Sequence, residues 1–284
     1  MKNIMKTAFL LVLMTLLLMA IGELIGGPRG MMVALMVAVG MNFVSYWFSD
    51  KIVLGIYRAR EPRNSERRLV SLVQNLATQA NLPMPRVMVV DMDVPNAFAT
   101  GRNPRHAVVA ATTGILRILD DRELTAVLAH ELSHVKNRDI LISSIAATLA
   151  GAITLVARLA FFFGGNRDRN PLVGLALLIL APIAAFLIQM AVSRSREYAA
   201  DRDGGILTNR PMDLASALSR LHRSVERAPL AANTSGEITA HLFIVNPFKF
   251  SGLASLFMTH PPLEQRIARL QELDQELKGA ARRA

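Results

Sequence analysis

Five consecutive residues, His130-Glu131-Leu132-Ser133-His134, carry the chemistry most easily read in this chain. On a helix, histidines four apart share one face a turn from each other, and the intervening glutamate stands beside them. That arrangement holds a hydrolytic zinc ion and gives its water a base. The alternative is an ordinary amphipathic helix bearing two solvent histidines. What precedes the motif favours the metal site: Asp120 and Glu123 have capping-box spacing, and Leu124, Val127, Leu128, Leu132 and Val135 recur at helical spacing. Both histidines therefore fall within a well-started helix.

A catalytic zinc site takes three protein ligands and leaves a fourth position open. Position 140, where an HExxHxxGxxH pattern would place a histidine, is Ile140, and the chain has no cysteine. The best third ligand lies in Ser193-Arg194-Ser195-Arg196-Glu197-Tyr198-Ala199-Ala200-Asp201, where Glu197 and Asp201 are four apart on one helical face. We expect Glu197 to bind the metal and Asp201 to accept the spare N–H of His130, fixing its tautomer. Without the HExxH segment, the same pair would read as helix-surface charges balanced by Arg194 and Arg196.

The elements around these residues are unusual. Hydrophobic residues make up 52% of the chain. Much of that lies in four apolar runs, 7–25, 31–48, 140–163 and 171–192, each near or above the ~20 residues that cross a bilayer. They form two pairs with short polar links, and we expect two transmembrane hairpins. The first run is also compatible with a signal peptide after Lys2 and Lys6, but a second run follows at once without a clear cleavage site. The second pair has an alternative as a buried hairpin of a soluble domain, and Arg158 near the end of its first run would snorkel or face the bundle.

Basic residues flank the outer ends of each pair: Lys2 and Lys6, then Lys51, Arg58, Arg60, Arg63, Arg67 and Arg68, then Lys136 and Arg138, then Arg194 and Arg196. That bias predicts cytoplasmic termini and a cytoplasmic peptidase part. The net charge of +10 fits contact with an anionic leaflet, and no nucleic-acid motif is visible. Because the HExxH helix precedes the third run and Glu197 follows the fourth, the site is expected to face the bilayer surface. Membrane-protein substrates would then be its partners.

Between residues 50 and 139 the pattern predicts a helix over 65–81, strands over 86–90 and 106–111, and a connecting strand through Pro95-Asn96-Ala97-Phe98-Ala99-Thr100-Gly101. A helix is expected over 212–226, a less regular segment over 231–246, and a final helix opened by Pro261-Pro262 with Leu263, Ile267, Leu270, Leu273 and Leu277 on one face.

The sequence resembles the HtpX-type membrane zinc metalloproteases of the M48 peptidase group, along essentially its whole length. The resemblance rests on an amino-terminal hairpin, Asn-Ala-Phe-Ala-Thr-Gly, Ala-His-Glu-Leu-Ser-His, a second hairpin, Ser-Arg-Ser-Arg-Glu-Tyr-Ala-Ala-Asp, and Thr259-His260-Pro261-Pro262. It implies an α+β, mostly helical integral membrane protein with two transmembrane hairpins and a gluzincin-like zinc peptidase domain carrying a small β-sheet. Its parts would be residues 1–50 (hairpin), 51–139 (first part of the peptidase domain), 140–192 (hairpin) and 193–284 (second part). One Zn2+ would sit on His130, His134 and Glu197, with Glu131 the catalytic base. Asn96, Ala97, Phe98, Ala99, Thr100 and Gly101 would form a substrate-pairing edge. His260 and Arg266 would lie near the zinc, either as oxyanion stabilisers or as a helix cap and a structural ion pair. The implied role is proteolytic quality control of membrane proteins under stress at the bacterial inner membrane. Rival classes are a prenyl-protein peptidase using the same site and a membrane scaffold with a structural zinc.

Overall fold

The first helix, α1 (Lys2–Ile56), is two arms joined at Gly26 and Gly27, whose φ/ψ values of −137°/17° and 58°/−150° break the helix. A positive φ at Gly27 suits only a residue without Cβ, and Pro28 then opens the second arm, where its missing N–H costs little. The arms fold back on each other. Asn42 Nδ2 donates to Thr15 Oγ1 at 2.9 Å and to Leu11 O at 3.3 Å, and Gly22 and Gly30 approach so closely that a Cβ on either would strike the other's carbonyl. The polar link expected over 26–30 is thus shorter, because Pro28 is already helical.

The structure, a computed structural model, describes residues 2–143, 145, 194–227, 244 and 261–283. The rest of the chain includes His260 and nearly all of the expected second hairpin, which therefore lie outside the described residues.

After α1 come α2 (Arg67–Gln79), β1 (Arg86–Val90), β2 (Ala97–Gly101), β3 (Ala107–Thr112), α3 (Thr113–Ile118) and α4 (Asp121–Lys136). Then follow α5 (Arg194–Thr208), α6 (Pro211–Arg227) and α7 (Leu263–Ala281). Helix α2 starts two residues later than the spacing predicts, because Asn64–Glu66 form a 3-10 turn. Strand β3 begins after His106, since the Asn103 side chain accepts from the N–H groups of Arg105 and His106 and holds that stretch in a 3-10 turn.

The sheet order is β1-β3-β2, with β3 parallel to β1 and antiparallel to β2. Alternation along the strands divides its faces. Val87, Val89, Ala97, Ala99, Val109 and Ala111 enter the main core with Leu69, Val73 and Leu76 of α2, Leu124 and Leu128 of α4, and Leu218 of α6. Met88, Val90, Phe98, Val108 and Ala110 face the other way, against Val53 and Leu54 near the end of α1. Tyr57 packs on Phe98 at 5.1 Å between ring centroids. The second arm of α1 is thereby docked directly on the sheet that carries β2.

Ile244 lies within a stretch where the sequence suggests irregular chain, yet it is buried in the main core. Its backbone is held on both sides: the N–H donates to Asn96 Oδ1 at 3.0 Å and the carbonyl accepts from Arg266 NH1 at 3.3 Å.

Candidate metal centre and active site

Helix α4 is set by its N-terminus. Asp120 Oδ1 accepts from the N–H groups of Arg122 and Glu123 at 2.9 and 3.0 Å, and Glu123 Oε2 accepts from Asp120 N at 3.3 Å. This reciprocal cap satisfies donors that the helix cannot, and Leu124, Val127, Leu128 and Leu132 bury the apolar face. His130 and Glu131 are carried into the interior, at 1% and 6% exposure.

Helix α5 closes on α4 at the motif. A Cβ at Gly204 would lie 2.9 Å from the His130 backbone nitrogen and 3.1 Å from its Cα, so only glycine permits this approach. Glu197, Asp201 and Gly204 are spaced to share one face of α5. Glu197 Oε2 lies 3.7 Å from His130 Nε2, and Oε1 lies 3.5 Å from His134 Nε2. The two Nε2 atoms are 3.3 Å apart. Ligands ~2.05 Å from a tetrahedral ion sit ~3.3 Å from each other, so the three groups fit a single divalent cation. Their ligand atoms all lie within 4.8 Å of one another, and among the described residues this is a group able to hold a metal.

Each imidazole has a carboxylate behind it. Asp201 Oδ1 lies 2.9 Å from His130 Nδ1, close but poorly aligned for a hydrogen bond, and Asp139 Oδ2 lies 3.4 Å from His134 Nδ1. Asp201 is itself gripped by Arg266, whose Nε and NH2 donate to Oδ2 and Oδ1 at 2.8 and 2.6 Å. With NH1 on Ile244 O, every nitrogen of that buried guanidinium is engaged. The geometry of Arg266 is therefore that of an ion-pair partner to Asp201 rather than of an oxyanion donor.

Burial of the Glu131 carboxyl pushes it above its ordinary range, and Glu197 adds to this against the opposing histidines. Its Oε2 accepts from the Ala99 N–H of β2 at 2.9 Å. Burial works against charge on His134, but Asp139, Glu197 and Glu131 outweigh it and raise the imidazole to about 9. Burial likewise opposes charge on Asp201, yet Arg266 and His130 hold it at about 2. Glu131, Glu197, Asp139 and Asp201 bring four carboxyl groups to the centre, with the buried guanidinium groups of Arg196 and Arg266 beside them.

Strand β2 lies at the edge of the sheet among the described residues. Ala97, Phe98, Ala99, Thr100 and Gly101 form it, with Asn96 immediately before, and all six are buried. Asn96 O accepts from Thr112 N at 2.9 Å while its side chain holds Ile244. Gly101 has φ +126°, and a Cβ there would strike His106 O. Two contributors were not singled out from sequence, Asp139 and Gly204. Their only signals are an aspartate five residues after the second histidine and a glycine three residues after Asp201.

The model of peptidase family M48 matches residues 63–274. The chain belongs to peptidase family M48. It is 55% identical over 278 residues to a protein named Protease HtpX homolog from Burkholderia multivorans, covering 96% of this chain and 98% of that one. The homologue from Burkholderia lata is 54% identical with the same coverage. Among solved structures, Ste24p of S. mikatae shares the fold, with a TM-score of 0.52 at 17% identity over 92% of this chain and 66% of that chain. This M48 peptidase is a metalloprotease of the membrane, and the second arm of α1, within residues 26–48, is long and apolar enough to cross one, with mean hydropathy 1.7.

Proposed function

We propose that this protein is a zinc-dependent endopeptidase of the bacterial inner membrane. Its substrates are misfolded or damaged membrane proteins, cut near the cytoplasmic face. His130, His134 and Glu197 hold the ion. Two imidazoles and one carboxylate form a donor set suited to catalytic zinc. When bound, zinc supplies a Lewis acid that makes water nucleophilic at neutral pH and polarises the scissile carbonyl.

Glu131 takes the proton of the attacking water and delivers it to the leaving amine. Its buried position raises its affinity for that proton, and the Ala99 N–H orients one carboxylate oxygen. Substrate lies extended along Asn96 to Gly101, adding a strand to the sheet. Asp139 backs the His134 imidazole at Nδ1, Asp201 stands behind Nδ1 of His130, and Arg266 fixes Asp201.

The observation that carries this reading is the convergence of His130, His134 and Glu197 beside a base already in contact with the edge strand. The membrane assignment draws on both arms of α1, on the apolar runs over 140–192 as a second hairpin, and on the basic residues at their ends. In this reading residues 1–50 and 140–192 are the membrane parts, and 51–139 and 193–284 together make the cytoplasmic peptidase.

The test is detergent-purified protein incubated with an unfolded membrane protein, a soluble unfolded protein and a prenylated peptide, each with zinc or a chelator, alongside Glu131→Gln. We expect chelator-sensitive cleavage, strongest on the membrane protein and absent in the variant. Preference for the prenylated peptide would move the substrate class, and proteolysis indifferent to chelator and variant alike would remove the mechanism.

A further inference from the structure

The exposed apolar run of the second arm of α1 is interrupted at Lys51, with Ile56 the one exposed large hydrophobic residue of the helix beyond it. Met32, Val33, Met36, Val37, Val39, Phe43, Val44, Trp47 and Phe48 are all exposed large hydrophobic residues, and the next exposed residue with a charge is Lys51. Trp47 is 45% exposed and Phe48 40% exposed. Aromatic rings at the end of a span occupy the depth of the lipid headgroups.

A second element reaches the same depth. The guanidinium of Arg102 lies over the Trp47 ring, 4.7 Å from its centroid, and Lys51 Nζ lies 5.2 Å from the centroid of Phe48. Arg102 opens the β2–β3 turn. Asn103 Oδ1 accepts from the N–H groups of Arg105 and His106 and lies 2.9 Å from His106 Nδ1, fixing a turn from which Arg105 and His106 are exposed. Lys51 and Arg102 thus stand at the end of the apolar arm, with Arg105 exposed three residues on in the same turn and Asp50 the acidic residue beside Lys51.

We infer that Trp47, Lys51 and the β2–β3 turn form a binding site for anionic phospholipid headgroups, which pins the substrate-pairing strand to the membrane surface. Anionic lipid is the occupant because the cations are continuous with an exposed apolar surface that only acyl chains suit, so phosphate and tail are matched together. Arg102 follows Gly101 directly, and β2 therefore runs from the headgroup layer towards Glu131. A segment leaving the bilayer meets β2 at its Gly101 end. The inference rests on the membrane reading of α1 given under Proposed function.

Trp47 is the chain's single tryptophan, so its fluorescence reports this site alone. The full-length protein is reconstituted in bilayers carrying equal mole fractions of acyl-brominated phosphatidylglycerol or acyl-brominated phosphatidylcholine, and quenching is expressed relative to the unbrominated bilayer for each variant. We expect quenching about twofold stronger or more with the anionic lipid. That ratio should fall towards one in Lys51→Gln/Arg105→Gln, which leaves the Arg102 contact with Trp47 in place, and in Arg102→Gln. Equal quenching by both lipids in the wild type, or a ratio unchanged in both variants, overturns the site but leaves the membrane arm standing. Loss of the preference on adding inorganic phosphate at constant ionic strength also overturns it, by showing a site for the free anion. Quenching by neither lipid overturns the membrane reading and the site together.

Discussion

The N–H of Ala99 donates to Glu131 Oε2 at 2.9 Å, tying the edge strand β2 to the carboxylate of the HExxH helix. The two lie 32 residues apart in the chain, and under the proposed mechanism their contact would set where the proton acceptor stands relative to a peptide paired with β2.

Replacing Glu131 with Gln keeps an oxygen for the Ala99 N–H but removes the carboxylate that we propose as the base. Turnover should fall by about 10²–10⁴-fold, with zinc content by elemental analysis unchanged. Wild-type turnover in this variant would free Glu131 of its role.

Ala99→Pro removes the N–H itself. That donor points away from β3, so a proline should be tolerated on this edge. A hydrogen bond to a charged group contributes ~1.5–3 kcal/mol, and we expect turnover to drop ~10–100-fold with the melting temperature nearly kept. Unaltered kinetics in a folded variant would show that the contact does not position the base.

Metal affinity should depend on residues that never touch the ion. Asp201→Asn and Asp139→Asn should each weaken zinc binding about 10–100-fold in a competitive chelator titration, whereas Glu197→Ala, losing a ligand, should leave the purified protein substoichiometric. Gly204→Ala belongs in the same series: its new methyl would force α5 off the His130 backbone, carrying Glu197 away. Full affinity in Gly204→Ala would show that α5 can move without disturbing the site.

Arg266→Met should be among the more destabilising changes in the peptidase part. It strands the Asp201 carboxylate, with both side chains at 3% exposure, and breaking one side of a buried pair costs about 3–5 kcal/mol. Thermal unfolding measures it, and Asp201→Asn/Arg266→Met should recover part of the loss.

Acid sensitivity has a defined sign. Asp201 is held at about 2, below its ordinary 3.8, so it binds its proton more readily in the unfolded chain. Glu66 is lowered foremost by its hydrogen bonds from Arg60 and behaves alike. Stability from both is complete above the unfolded carboxylate range and is lost as pH falls through the depressed folded values. Unfolding midpoints should therefore decline from about pH 4 downward, with a shallower decline in Arg60→Gln. A midpoint flat between pH 5 and 3 would contradict this.

Local periodicity made much of the architecture legible. The capping box at Asp120, the apolar spacing through Val135, the alternation over Arg86–Val90 and the apolar runs of α1 are interactions within a few residues, so the order of side chains specifies them. His130, Glu131 and His134 were legible for the same reason, and Glu197 with Asp201 by their shared helical face. The start of β3 was missed by one residue because the Asn103 cap competes with the strand for His106.

Other features were decided by tertiary packing. Gly204 matters only because α4 is there to meet it, and Asp139 only because the end of α4 turns its carboxylate back to His134. The bidentate Arg266–Asp201 pair joins residues 65 apart, and Ile244 bridges Asn96 and Arg266 across a still longer separation. The amino-acid sequence alone determined which groups could bind a metal, move a proton and enter a bilayer, since those properties belong to residue types and short repeats. Which groups face each other was settled when α5 closed on α4 and α1 packed on the sheet, because distances between remote side chains depend on burying several elements in one core.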